Sequence, residues 1–270
     1  MKKIKRLYLG LMLFFLYAPI AVLIVYSFNE SRSRAHWSGL TMKWYAELFR
    51  DPNIMNALMT TLSVALFSAA AATVIGTAAA AGINSMRKGI KKRVLLSLTN
   101  IPVVSPDIVI GVSLMVLFIY SFSILGNLGN LGYHTLLLSH IIFNVPFVIL
   151  SVLPKLRQFD GDLFEAALDL GATPIFTFFK VILPQIRPGV ITGAMLAFTL
   201  SIDDFVVSFF TAGASTTNLS ILIFSMARRG VNPKINALST IMFVIVLMLF
   251  YLINMRESIN TKKREDDALS

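Results

Sequence analysis

Six mostly apolar stretches divide this 270-residue chain, and its charged residues gather between them. The stretches cover roughly residues 7–28, 57–83, 94–122, 135–154, 188–211 and 236–255. A helix of about 20 apolar residues, rising about 1.5 Å each, crosses ~30 Å of hydrocarbon. The pattern therefore predicts an all-α membrane protein with six transmembrane helices. The first stretch follows Lys2, Lys3, Lys5 and Arg6, a charge pattern that also begins signal peptides. Leu7–Phe28 is long enough to span, and Ser27-Phe28-Asn29 is a poor cleavage site, so a retained helix is expected.

Two stretches carry internal detail. The second is rich in small residues, Ala69–Ala72, Gly76 and Ala78–Ala81, and the fifth opens with Gly189 and Gly193 in GxxxG spacing. Small residues let helix backbones approach closely in lipid, so both predict helix–helix contact. The third contains Pro102 and Pro106, each of which removes a backbone donor. Two readings stand. Either the span is interrupted and its open backbone lines a cavity or subunit interface, or the span begins after Pro106 and 94–105 is an interfacial segment. Between the spans, 125–132 reads as an external turn. The stretch 32–51, with Trp37, Trp44 and Tyr45, reads as an interfacial amphipathic segment, and Leu219–Met226 as a short external helix. The polar tail 256–270 is expected to be disordered.

Composition agrees with the pattern. Hydrophobic residues make up 56% of the chain and mean hydropathy is +0.74, beyond the range of soluble domains. The net charge of +10 does not point to nucleic acid, because the basic residues flank the apolar stretches. Lys and Arg number four in the N-terminal tail, five in 84–93, four in 155–187 and four in the C-terminal tail. They number four in 29–56, none in 123–134 and three in 212–235. Seventeen against seven places both termini and 155–187 in the cytoplasm. The absence of cysteine excludes disulfides and thiolate-bound metal, and His36, His134 and His140 lack metal-ligand spacing. No P-loop, Gly-x-Ser-x-Gly or His-Glu-x-x-His sequence occurs, so neither ATP binding by a P-loop nor these intramembrane hydrolase chemistries are expected here.

The most informative connection is Glu165–Pro184. It predicts two short helices with a hinge. Phe164, Ala167 and Leu168 share one side of the first. Gly171 frees the turn, Thr173 caps the second helix and Pro174 begins it. Ile175, Phe178, Phe179 and Ile182 form a stripe, and Pro184 closes the run. Glu165, Ala166, Ala167, Gly171, Leu183 and Pro184 also fall at the spacing of the EAA loop of bacterial ABC-importer permeases, which this segment resembles; Val181 stands where that family usually has Ile. The resemblance implies a type I importer (MetI-like) fold. It also implies that this loop forms coupling helices inserted into an ATPase partner. ATP and Mg²⁺ would then belong to that partner, with no cofactor and no enzymatic activity in this chain. The expected divisions are 1–56 for the first helix and external loop, 57–255 for the transporter core with coupling loop 155–187, and 256–270 for the tail.

Three carboxylates come next. Asp203 and Asp204 lie inside an apolar span, where a charge costs roughly 2.5–3.5 kcal/mol. Adjacent helical residues point about 100° apart. The pair is therefore read as a polar path, with Asp204 slightly preferred, or as one path residue beside one structural cap. Asp107, after Ser105-Pro106, is a path candidate that also suits a helix start. The sequences around these acids, together with Tyr17-Ala18-Pro19-Ile20, Tyr26-Ser27-Phe28-Asn29 and Asn236-Ala237-Leu238-Ser239-Thr240, resemble spermidine/putrescine permeases of the C type over nearly the whole chain. That resemblance implies a bacterial inner-membrane polyamine importer; on physical grounds, aromatic faces at Phe205, Phe209 and Phe210 would add cation–π attraction to the path. The partners implied are a second permease, an ATPase dimer and an external polyamine-binding protein. A related importer for iron or a phosphonate is the alternative.

The topology is testable, because introduced cysteines have no native background. A cysteine at Ser215 is expected to react with an impermeant reagent from outside the cell, and one at Ser270 is not. The reverse labelling overturns the six-span map.

Overall fold

A computed structural model describes residues 2–31, 36–126, 129–229, 233–245 and 247–248. Among the described residues the chain is helical, with a single isolated bridge between Asn29 and Leu40 in place of any sheet. In chain order the helices are α1 (Lys2–Ser27), α2 (Lys43–Arg50), α3 (Pro52–Ser85), α4 (Ile90–Val104), α5 (Asp107–Ile124), α6 (Tyr133–Gln158), α7 (Gly161–Asp169), α8 (Pro174–Thr177), α9 (Leu183–Asp203), α10 (Val206–Thr211), α11 (Leu219–Arg228) and α12 (Pro233–Ile245). Five helical stretches are long and apolar enough to cross a membrane: α1, α3, α5, α6 and the continuous run Pro174–Asp203. The expected sixth span begins as α12; its end, 251–255, and the tail 256–270 lie outside the described residues.

Proline explains where the spans differ from expectation. The third stretch is two helices that part at Ser105-Pro106, both in extended conformation. A residue before proline is pushed out of the helical region, so the break falls where Pro106 requires it. The membrane-length helix is α5, as in the second of the two readings, and 90–104 is a helix of its own. Pro184 does not close the preceding run, contrary to the sequence expectation. Phe178–Ile182 forms one wide π-helical turn, with the Leu183 N–H bonded to the Phe178 carbonyl, and α9 continues from it. A proline ring clashes with the carbonyl four residues earlier in a regular helix; the wide turn relieves that contact.

The described residues group into two compact units, one drawn from 1–55 with 223–270 and one from 56–222. In the first, α2 buries Trp44 and Leu48 on one face. The Trp44 indole N–H donates to the Asn29 carbonyl at 2.7 Å, and Ser27 and Tyr45 share a hydroxyl hydrogen bond of 2.7 Å. Lys234 on α12 pairs with Glu47 at 3.5 Å and Asp51 at 3.4 Å.

The second unit is organised around α6. About half of the apolar length of α6 is buried. Val148 of α6 lies between two glycines from its neighbours. A Cβ at Gly76 of α3 would sit 2.7 Å from Val148 Cβ and 3.1 Å from the Val145 carbonyl. A Cβ at Gly193 of α9 would sit 3.2 Å from Val148 Cα, and one at Gly189 would sit 2.9 Å from the Ser151 carbonyl. The small residues predicted to mediate contact therefore do so. Ala69, Ala72 and Ala80 are buried with Val148, Val152 and Ile186 in one core.

These distances generate a paired test. Gly76→Ala must displace α6 and is expected to destabilise the protein by about 1–3 kcal/mol. Gly82 on the same helix has nothing within 4 Å of its would-be Cβ. Gly82→Ala is expected to be neutral or stabilising, since alanine favours helix. Melting of the purified protein in detergent compares them, and equal midpoints contradict the packing account.

Candidate functional site

The loop 155–187 contains a helix that begins with a side-chain cap. Asp160 accepts the Asp162 N–H at 3.1 Å and starts α7. The helix ends as the position of Gly171 requires. Gly171 has φ +85°, a left-handed value that favours glycine. Its N–H donates to the Leu168 carbonyl at 2.8 Å and that of Ala172 to the Ala167 carbonyl at 3.1 Å. These two bonds make a Schellman stop. Thr173 then accepts the Phe176 N–H at 3.4 Å, with Pro174 in the first helical position as expected.

The loop has two faces. Phe164, Ala167 and Leu168 are half-buried, Thr177 is buried, and Ile182 and Leu183 pack against the α3–α6–α9 core. Glu165, Ala166, Gly171 and Pro184 are exposed. So are four large apolar side chains: Leu170 at 90%, Ile175 at 73%, Phe179 at 58% and Phe176 at 55%. The stripe read from sequence thus divides. Ile175 and Phe179 face outward, joined by Leu170 and Phe176, while Phe178 and Ile182 turn toward their own helices.

The three acids occupy two helix ends that α5 and α10 bring together. Gly111, one turn after Asp107, makes the approach possible: a Cβ there would lie 3.0 Å from the Phe210 ring and 3.3 Å from the Val206 carbonyl. Asp107 is the exposed first residue of α5. Asp203 is the exposed last residue of α9.

Asp204 has a different setting. Its backbone is extended (φ −62°, ψ 123°) and breaks the fifth span. Its carboxylate accepts the N–H groups of Val207 at 3.2 Å and Ser208 at 2.7 Å, which is an N-cap for α10. It also accepts the Ser208 hydroxyl at 2.8 Å. Its side chain is 6% exposed. The carbonyls opened by the break find side-chain donors: Ser220 Oγ donates to Ile202 at 3.3 Å and Asn218 Nδ2 approaches Asp204 O at 3.5 Å. Opened backbone at membrane depth requires such partners. Phe205 follows the break, half-buried, with its ring 5.4 Å from that of Phe209, which is exposed.

Behind the break lies a buried polar belt that the sequence reading did not assemble. His140 Nε2 is 3.0 Å from Ser208 Oγ and 3.6 Å from Asp204 Oδ2. Asn218 Nδ2 donates to Ser208 Oγ at 2.8 Å. One turn along α6, Asn144 Nδ2 donates to Ser201 Oγ at 2.7 Å, and Ser201 shares a 2.9 Å bond with Ser68 of α3. Polar residues four apart in an apolar run, His140 and Asn144, are the signal that marks this face. Among the described residues no cluster of His, Cys, Asp or Glu is arranged to hold a metal.

Comparison with known proteins places this geometry. Residues 72–256 match the family described as binding-protein-dependent transport system inner membrane component. The spermidine/putrescine transport system permease protein PotC of Escherichia coli K12 is 43% identical over 236 residues, 87% of this chain and 86% of that protein. The putrescine transport system permease protein PotI of the same strain is 40% identical over 227 residues, 84% of this chain and 81% of PotI. PotC of Haemophilus influenzae is 39% identical, covering 88% of this chain and 90% of its own. Among solved structures, a bacterial ABC transporter that imports alginate superposes with a TM-score of 0.73 at 14% identity, covering 94% of this chain and 95% of that one. The MetNI methionine transporter in an inward-facing form superposes at 0.62 and 20% identity, covering 80% and 97%. These two likenesses concern the fold.

Proposed function

This chain belongs to the inner membrane components of binding-protein-dependent transport systems, a family of multi-pass transport permeases, and on that footing we propose that it is the permease subunit of an ATP-driven polyamine importer. The observation that carries the substrate class is that the chain is 39–43% identical to proteins named as spermidine/putrescine or putrescine permeases. Within it, Asp107 and Asp203 are two exposed carboxylates, one at the start of α5 and one at the end of α9. A polyamine is an extended polycation. Its ammonium groups make charge-assisted hydrogen bonds to carboxylates, and the faces of Phe205 and Phe209 add cation–π attraction. Two carboxylates rather than a dense cage suit passage, since a path that binds too tightly does not release.

Asp204 takes the other role weighed for the acid pair. Its carboxylate is committed to α10, so Asp203, not the initially preferred Asp204, is the path residue we propose. Glu165, Ala166, Ala167, Gly171, Leu183 and Pro184 shape the coupling segment. Leu183 anchors it on the core, and Leu170, Ile175, Phe176 and Phe179 present the apolar surface to a separate ATPase dimer, which handles ATP and Mg²⁺. The chain itself is non-catalytic. A second, homologous permease completes the path, a polyamine-binding protein delivers substrate outside, and both termini lie in the cytoplasm.

The path is tested by Asp203→Asn, which keeps shape and removes charge. Spermidine uptake in proteoliposomes is expected to fall at least about tenfold, a difference worth ~1.4 kcal/mol, while substrate affinity of the external protein stays unchanged. Asp204→Asn is expected instead to lower the yield of assembled complex. Full uptake by the Asp107→Asn, Asp203→Asn pair refutes the path.

Coupling is tested at Gly171, whose left-handed backbone disfavours a β-branched residue. Gly171→Val is expected to assemble, retain ATP hydrolysis and lose most uptake. Unchanged uptake at equal expression removes the coupling assignment.

A further inference from the structure

With the Asp204 carboxylate as acceptor, the hydrogen bonds around Ser208 have one consistent set of directions. The Ile221 N–H donates to the Asn218 side chain at 2.9 Å, so that atom is the amide oxygen and the amide nitrogen faces Ser208. Asn218 therefore donates to Ser208 Oγ. Asp204 Oδ2, already accepting the Ser208 N–H, accepts the single Ser208 hydroxyl proton. Ser208 has no proton left for the third neighbour. His140 must accordingly donate from Nε2, at 3.0 Å. The result is a relay from α6 that ends at the break: imidazole N–H donates to hydroxyl and hydroxyl to carboxylate, and the same carboxylate accepts the first N–H groups of α10. His140 is 1% and Asp204 6% exposed in their side chains, so water does not substitute for a missing member.

We propose that His140 is a positioning residue for the carboxylate path: acting through Ser208, it holds Asp204 extended and capped on α10, and so keeps Asp203 displayed at the end of α9. The proposal rests on the reading of Asp203 as a path residue. Without His140, the Ser208 hydroxyl loses the donor that directs its proton to Asp204. The Asp204 backbone is then free to continue α9, and residue 203 falls beneath the following turn instead of terminating the helix.

The experiment separates this role from the transport reading by measuring exposure rather than uptake. Asp203→Cys is the chain's sole cysteine. It is placed alone and with His140→Gln, His140→Leu or Ser208→Ala in the assembled complex. Each is treated with a cationic methanethiosulfonate, and mass gain on this chain is followed in time. Glutamine places an amide N–H near the reach of Nε2 and is expected to keep the rate within twofold. Leucine, and alanine at 208, are expected to slow it at least fivefold. Ser208→Ala provides the reading should His140→Leu assemble poorly. Equal rates in all four overturn the proposal. So does loss of assembly in both the leucine and alanine variants, which would make the relay a contact for folding alone. If the rates follow the expected order while Asp203→Asn transports normally, the positioning role stands and the substrate path fails.

Discussion

The carboxylate of Asp204 bonded to the start of α10 is the contact on which the fifth span depends. A transmembrane helix cannot open its backbone in hydrocarbon without replacing the hydrogen bonds it loses. Here each side of the opening has a replacement. Val207 and Ser208 give their N–H groups to Asp204, and Ile202 and Asp204 receive side-chain donors from Ser220 and Asn218. The charge that looks expensive in an apolar span is thus spent on N–H groups that would otherwise be unpaired. It also releases its neighbour: with Asp204 occupied, Asp203 is left exposed at a helix end.

The helix that leads to that break is packed on α6 by backbone contact. Gly76, Gly189 and Gly193 let α3 and α9 approach α6 more closely than any side chain permits. Gly111 does the same for α5 against α10. Polar side chains then tie the close-packed helices together, Ser68 and Ser201 to Asn144, and Ser208 to His140. Dispersion contacts and a few oriented hydrogen bonds supply this association, because lipid removes the usual hydrophobic advantage between helices.

One continuous helical run links the two functional regions. It begins at Pro174 beside the exposed apolar face of the loop, passes through the π-helical turn at Phe178–Ile182, and ends at Asp203. Along its length it is anchored by Leu183, Ile186 and the two glycines on α6. A displacement at the loop therefore acts on a rigid element whose far end carries the proposed path residue. The wide turn above Pro184 is the irregular point in that element, and it lies at the loop end rather than at the break.

Periodicity and length alone settled the class. Runs of twenty or more apolar residues leave helices as the structure that satisfies their backbone in lipid. Local chemistry settled the loop: Gly171 permits the left-handed turn, and Thr173-Pro174 supplies a cap and a preset first helical residue. Small-residue spacing identified the faces of α3 and α9 that pack. Tertiary structure decided what depends on partners distant in sequence. Whether Asp203 or Asp204 is committed depended on Ser208, Asn218 and His140, which lie on other turns and other helices. The split of the apolar stripe depended on which side of α8 and the π-helical turn met the core. The passage of the helix through Pro184 depended on a wide turn that no propensity announces. Adjacent carboxylates are equivalent in a sequence; only the N–H groups and side chains around them distinguish a cap from an open charge.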